Sequence, residues 1–331
     1  MRAIRAHEPD TRFVVRTTAP DWLFADIGRV EVQRTIVDAG MVQIDSLNID
    51  EAATAREIAA FYAGFDRRVD DEAAALETIR PDVVLGDIPP LAFAAAAKAG
   101  FPSVAIANFT WDWIYSIYPE IERAAPGATQ AMRHAYAKAT LALRLPLHGG
   151  FEPMAAVTRD IPLIARRSGR DRRETRQILG IPDGRPAVLP TFGGYGVDLP
   201  YAAVEREGRL TMLRPEAIDL QASELRHQDL VAAADAVISK PGYGIVSECA
   251  ANGTPLLYTS RGRFIEYDLF VSEMPGVLRC RYVSQEDLRA GRWADAVLAL
   301  LAQPEVPRPR VDGADVAAAT ITRLLNHPIA R

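Results

Sequence analysis

Short β-branched runs alternate with Ala-rich segments of helical length from one end of the chain to the other, and that alternation leaves few architectures open. A helix laid between two strands carries the chain back to the end where the first strand began, so the strands it joins run parallel in a sheet covered on both faces. In the first half the strands read as Arg12 to Thr17, Val83 to Asp87 and Ser103 to Ala107, with Glu51 to Ile79 as helix broken once. Between Leu145 and Ala165 the periodicity fails and Pro146, Pro153 and Pro162 accumulate, which marks a linker. The rhythm then restarts with strands Ala187 to Thr191, Leu210 to Leu213, Ala236 to Ser239, Pro255 to Thr259 and Val277 to Tyr282. Helices Glu174 to Leu179, His227 to Ala234, Ile245 to Asn252 and Tyr267 to Met274 are interspersed, and further helices close the chain. Two doubly wound α/β domains are expected, residues 1–149 and 150–331, and 331 residues of which 49% are apolar suffice for two cores.

Charge and cysteine usage remove several classes of function. A net charge of −5, from 38 basic and 43 acidic residues without long single-sign runs, gives no footprint for a nucleic-acid backbone. The Arg-rich stretch from Arg166 to Arg173 is the local exception; Asp171 and Glu174 interrupt it, so it reads as a solvated linker and helix start, with a phosphate- or membrane-facing role as the other reading. Peripheral membrane contact stays open on that ground. The two cysteines, Cys249 and Cys280, sit in no metal-binding cluster, and no DxD-type acidic motif with a metal role occurs. A reducing cytoplasm is the expected location. Apolar runs such as Leu91 to Ala97 and Ala296 to Ala302 are far short of the ~20 residues of a membrane span, and the first residues, Met1 to Glu8, lack the apolar core of a signal peptide.

Two glycine corners carry the chemistry. Ser239-Lys240-Pro241-Gly242-Tyr243-Gly244-Ile245-Val246-Ser247-Glu248 runs from a strand end through a turn into a helix, where free backbone N–H groups suit a diphosphate. A helix cap without ligand, with Glu248 complementing the helix dipole, reads equally well from this segment alone. Pro190-Thr191-Phe192-Gly193-Gly194-Tyr195-Gly196 follows another strand and forms a second such turn. Two corners in one α/β domain point to a shared ligand, since open sheets bind ligands at the C-terminal ends of their strands. In the first half Asp87 and Asn108 occupy equivalent strand ends, and the aromatic run Trp111-Asp112-Trp113 follows. Trp111 and Trp113, two apart on a helix, cannot both face one site, so core packing competes with sugar stacking for them.

These segments carry a resemblance. His227-Gln-Asp-Leu230, Asp235 to Glu248 and Gly253-Thr-Pro255 resemble the donor-binding half of GT-B glycosyltransferases, notably the lipid-linked peptidoglycan N-acetylglucosaminyltransferases. With Pro81-Asp-Val-Val-Leu-Gly-Asp87 and Asn108-Phe-Thr-Trp-Asp-Trp-Ile-Tyr115 added, nearly the whole chain is similar to the glycosyltransferase-like segment that precedes the kinase domain of plant arabinokinases. The resemblance implies two Rossmann-like domains facing across a cleft, the first on the acceptor side and the second binding an NDP-sugar, UDP-sugar foremost. It implies Glu248 on the ribose hydroxyls, Gly242 and Gly244 with Lys240 and Pro241 at the diphosphate, and Gly193 and Gly194 on the opposite lip. Arg261 and Glu266 would meet the donor sugar, although Glu266-Tyr267 stands where many relatives have acid–glutamine. His227 would approach the base or phosphate; a helix-capping or surface histidine is the plain alternative. Asn108, Trp111 and Asp112 would line the acceptor side.

The family normally opens with a strand and a Gly- and His-containing loop, and this sequence begins after them: Met1 to His7 reads as the helix that should follow and Arg12 to Thr17 as the second strand. A late start is expected, with Arg12 to Thr17 and Val83 to Asp87 both bordering the missing strand instead of pairing with each other. The implied chemistry is hexosyl or N-acetylhexosaminyl transfer by direct displacement at the anomeric carbon, without metal or cofactor beyond the donor, with Asp87 as the retained candidate base. A sugar-nucleotide 2-epimerase and a non-catalytic sugar-nucleotide-binding protein are the competing readings.

Overall fold

A computed structural model describes residues 1–193, 196–220 and 222–326. The chain forms two compact units, one of Met1–Val42, Asp50–Pro162 and Asp312–Arg331, the other of Gln43–Ile49 and Leu163–Val311. Every strand pairing in either unit's sheets is parallel.

In the first unit β1 (Phe13–Thr17) pairs with β2 (Val30–Arg34), while β3 (Val84–Gly86), β4 (Ser103–Phe109), β5 (Leu141–Gly149) and β6 (Thr158–Asp160) form a separate ladder in that order. β1 and β3 are not hydrogen-bonded to each other. Val104, Ala105 and Ala107 of β4 are fully buried, the state of a strand covered by helices on both faces. The long helical stretch is two helices, Glu51–Tyr62 and Phe65–Ile79, broken at Gly64; Asp50 Oδ1 caps the first by accepting from Ala53 N at 2.8 Å. Phe61 and Val69, one from each helix, pack with Leu91 and Ala94 of helix Pro90–Ala99 and Ala135 of helix Ala128–Tyr136.

The expected linker is only partly irregular. β5 runs on to Gly149 through Pro146, which the sheet tolerates because β4 and β6 pair with residues 141–144 and β4 again only at Gly149. β6 pairs back onto β5, so the first unit extends to Pro162, beyond the expected boundary at 149/150. The final helix, Gly313–Asn326, also belongs to the first unit, where it packs on helix Arg2–His7.

The second unit has one five-stranded sheet of β7 (Ala187–Pro190), β8 (Thr211–Met212), β9 (Ala236–Ser239), β10 (Leu256–Tyr258) and β11 (Cys280–Tyr282), ordered β11-β10-β9-β7-β8. Its core gathers Val188, Leu210, Ile238, Leu257 and Trp293, joined by Leu47 from the short segment 43–49. Gly262 N donates to Leu47 O at 2.6 Å and anchors that segment. No helix among the described residues is long and apolar enough to cross a membrane.

Candidate functional site

From β7 the chain proceeds to β8 on one side, and from β9 to β10 and β11 on the other. The neighbouring C-terminal ends of β7 and β9, paired through Pro190↔Ile238, are therefore the point where the winding reverses, and the two glycine corners issue from it side by side. Ser239 Oγ donates to Thr191 O at 2.5 Å and ties the corners together. After β9, Lys240 and the buried Pro241 lead to Gly242, the N-cap of helix Tyr243–Asn252. A methyl group built at Gly242 or Gly244 would meet no atom within 4 Å, so packing does not demand glycine at either position; their bareness leaves the helix's first N–H groups approachable. Gly193 has φ +78°, which does call for glycine. Gly194 lies outside the described residues.

Lys240, two residues before Gly242, is half-buried. Burial, with the nearby Arg261 guanidinium, lowers its ammonium pKa to about 8, and Asp45 opposes the shift. Arg261 stacks over the Phe264 ring at 3.9 Å, and Glu266 is buried in the first turn of helix Ile265–Glu273.

Glu248 lies one turn and a half into helix Tyr243–Asn252 and is only 3% exposed. Arg166 Nε donates to its Oε1, and His227 Nδ1 lies 2.9 Å from its Oε2. On the far side of the imidazole, Nε2 is 3.2 Å from Thr191 Oγ1 in the glycine corner that follows β7. His227 opens helix His227–Ala233, whose N-terminus is fixed by Asp229 accepting from Arg226 N at 2.9 Å and from Ser168 Oγ at 2.6 Å. The Arg-rich stretch is thus engaged inside the unit: Arg166 holds Glu248, Arg172 pairs with Asp235 at 2.6 Å, and Asp171 caps helix Arg172–Ile178, the helix start expected there. The carboxylate that the resemblance assigns to ribose is closed on both oxygens by protein.

In the first unit the strand-end residues divide. Asn108 is buried and its Nδ2 donates to Leu147 O at 3.2 Å; Asp112 is buried and Oδ2 pairs with Arg133 at 2.8 Å. Both are spent on internal structure. Trp111 stacks on Tyr115 with centroids 5.1 Å apart, whereas Trp113 packs over Gly149, where an added Cβ would clash at 2.2 Å; the two rings diverge. Asp87 keeps its side chain open to solvent, yet protein on its other sides raises the carboxyl pKa by desolvation.

Asp38, which the sequence reading passed over, belongs with Asp87. It follows β2, and its Oδ1 accepts from Ala39 N at 2.9 Å. Burial pushes its pKa up to about 7 against the opposing pull of the Ala39 N–H and the Trp111 indole. The ends of three strands converge here: Tyr115 Oη donates to Gly40 O at 2.9 Å, while Tyr136 Oη donates to Ile88 O at 2.9 Å and accepts from Trp111 N at 3.1 Å. Its signal was the strand before it, Val30-Glu-Val-Gln-Arg34, whose two-residue alternation places Asp38 a few residues past a strand end.

Structures of known proteins match this architecture. A calicheamicin glycosyltransferase, CalG4, superposes with a TM-score of 0.60 at 14% identity, covering 99% of this chain and 94% of that one. The chain has the GT-B fold. A second GT-B neighbour is UGT89C1 of Arabidopsis thaliana, solved complexed with UDP, at a TM-score of 0.55 and 13% identity over 99% of this chain and 91% of that one. In sequence the GT-B chain is 29% identical to the L-arabinokinase of Arabidopsis thaliana across 92% of its own length, and it spans 30% of that relative. No protein-family model matches it.

Proposed function

We propose that this GT-B chain is a glycosyltransferase that moves a hexosyl or N-acetylhexosaminyl group from an NDP-sugar, a UDP-sugar foremost, to a hydroxyl acceptor. The observation that carries the reading is the corner at the C-terminal ends of β7 and β9. Gly242 and Gly244 open helix Tyr243–Asn252 with empty space where a side chain would stand, Lys240 lies two residues before Gly242, and no packing contact within the unit accounts for either glycine. A diphosphate matches that arrangement in charge and hydrogen-bonding sense: it takes the N–H groups and the helix dipole on one side and the ammonium on the other. As the anomeric C–O bond breaks, the leaving diphosphate takes the electron pair, and these same groups stabilise its growing charge without a metal. Arg261 and Glu266 are assigned to the sugar end of the donor. The acceptor hydroxyl forms the new bond to the anomeric carbon as it loses its proton to a carboxylate of the first unit, for which Asp87 is the candidate. UDP in a GT-B neighbour supports the nucleotide class.

The test is a panel of NDP-sugars followed by calorimetry and by chromatographic detection of product. A binding donor at ~100 times its dissociation constant raises stability by about 2.7 kcal/mol. Failure of every NDP-sugar to bind at millimolar concentration overturns the proposal.

A further inference from the structure

Of the chain's 38 basic residues all but Lys98, Lys138 and Lys240 are arginines, and Lys240 is the one that stands just past the end of β9. Arginine keeps its charge at any ordinary pH, whereas a lysine in partial burial can lose its proton, so whatever keeps Lys240 a cation decides whether that strand end attracts an anion. Segment 43–49, which reaches the second unit from far upstream, bears on this. Gln43 and Ile49 form an antiparallel bridge that closes the segment into a loop, and Asp45 braces it from within: Oδ1 accepts from Leu47 N at 2.7 Å and from Asn48 N at 2.8 Å, and Oδ2 from Asn48 Nδ2 at 2.8 Å. Leu47 seats the loop. It is buried in the cluster that holds Ile238 and Leu288, and its carbonyl accepts from Gly262 N, where an added Cβ would stand 3.3 Å from that oxygen. Asp45 is two residues before Leu47, Lys240 two beyond Ile238, Arg289 one beyond Leu288 and Arg261 one before Gly262, so a single anchor gathers one carboxylate and three cations. The charged groups that face Lys240 are Arg261 and Asp45, and Arg289 faces Asp45.

We infer that Asp45 is a positioning residue for Lys240: the loop 43–49 delivers a fixed carboxylate that keeps the lysine a cation and the strand end after β9 attractive to an anion. The use of that charge for a diphosphate rests on the proposed donor site; the pairing of Asp45 with Lys240 does not. Burial and the Arg261 guanidinium both favour the neutral amine, and Asp45 opposes them. Asp45 itself is held ionised, chiefly by the Asn48 side chain and by the Leu47 N–H. Because its hydrogen bonds are made within its own loop, it acts on Lys240 through its field, and the ammonium protons are left to a ligand.

Lys240 can be titrated without any ligand. Brief acetylation of the whole chain with acetic anhydride over a series of pH values, read by mass spectrometry on the peptide that contains Lys240, follows the neutral amine, with Lys98 and Lys138 as internal references. In the wild type, labelling is expected to rise with a midpoint near pH 8. Asp45→Asn keeps an acceptor for the loop's own N–H groups while removing the charge, and is expected to move the midpoint down by about half a pH unit, the scale of one solvent-screened charge. Leu47→Ala, which unseats the loop, should reproduce that shift; Asp45→Asn carries the test alone if Leu47→Ala does not fold. A midpoint unchanged in Asp45→Asn overturns the inference, as does a folded Leu47→Ala that titrates like the wild type. Calorimetry with UDP then separates this from the donor site: its decline with pH should move down together with the labelling midpoint, whereas a midpoint that moves while UDP binding is absent or indifferent to pH refutes the donor site and leaves the pairing standing.

Discussion

The two units share one construction, parallel strands covered by helices, yet they deploy their polar residues in opposite ways. In the second unit a single sheet reverses its winding between β7 and β9, and at that point stand glycines with open space around them and a histidine braced by a buried carboxylate. In the first unit the strands form two ladders, and most of the polar residues at their ends are consumed in holding loops to one another: Asn108 on Leu147, Asp112 on Arg133, Tyr115 on Gly40, Tyr136 on Ile88. A polar residue at a strand end is therefore weak evidence for a ligand until its partners are known. The proposed function instead draws on Lys240 and the glycines in one unit and on the desolvated carboxyl of Asp87 in the other.

Breaking an internal brace in the first unit is expected to give the largest effect. Arg133→Ala leaves Asp112, whose side chain is 1% exposed, without its cation, and is expected to cost about 3 kcal/mol of stability in urea or thermal unfolding. UDP affinity, which the proposed function places in the other unit, should not change; a parallel fall in affinity would break the separation of roles drawn above.

Asp38 sharpens the contrast through pH. Its folded pKa of about 7 stands above the ordinary 3.8, so folding opposes the ionised form: the cost is absent below about pH 4, grows with pH up to about 7 and is constant above that. Asp38→Asn is accordingly expected to leave stability near pH 4 unchanged and to raise it above pH 7, by about 2 kcal/mol once partial solvent access is allowed for. Melting curves across that range check it, and a gain independent of pH would mean that the carboxyl is not held in its neutral form.

The smallest effect belongs to Lys240. With its pKa near 8 and Arg261 and Asp45 as its charged neighbours, UDP affinity should decline as pH rises past about 8, where the ammonium is lost. Lys240→Met should bind about tenfold more weakly at pH 7 and lack that decline. Titration calorimetry at several pH values distinguishes this from a diphosphate held by backbone alone.

The second unit was the more legible in sequence because its strands are buried on both faces. Ala187–Pro190 and Ala236–Ser239 stand out as apolar runs between turn signals, and their ends fell within a residue of the expected positions. β2 was missed because Glu31 and Gln33 give it only a thin two-residue alternation, and with it went Asp38. Nor could the linker reading anticipate β5, since the tolerance of Pro146 depends on which neighbours pair where. Least legible of all were partners distant in sequence. That Arg166 would close on Glu248, 82 positions later, is written in no local pattern, and it changes what Glu248 is available to do.

The segment 43–49 has a consequence for how the polypeptide is made. It emerges from the ribosome early, flanked on both sides by stretches of the first unit, but Leu47 has its apolar surroundings only among residues beyond 187, and Gly262 supplies the N–H for its carbonyl. Conversely helix Arg2–His7 packs on helix Gly313–Asn326, which is translated only after the whole of the second unit. Neither unit can be finished before the other is largely translated, and no uninterrupted stretch of the gene encodes either one whole; cutting the chain at residue 162 would leave each half missing a part that the other carries away.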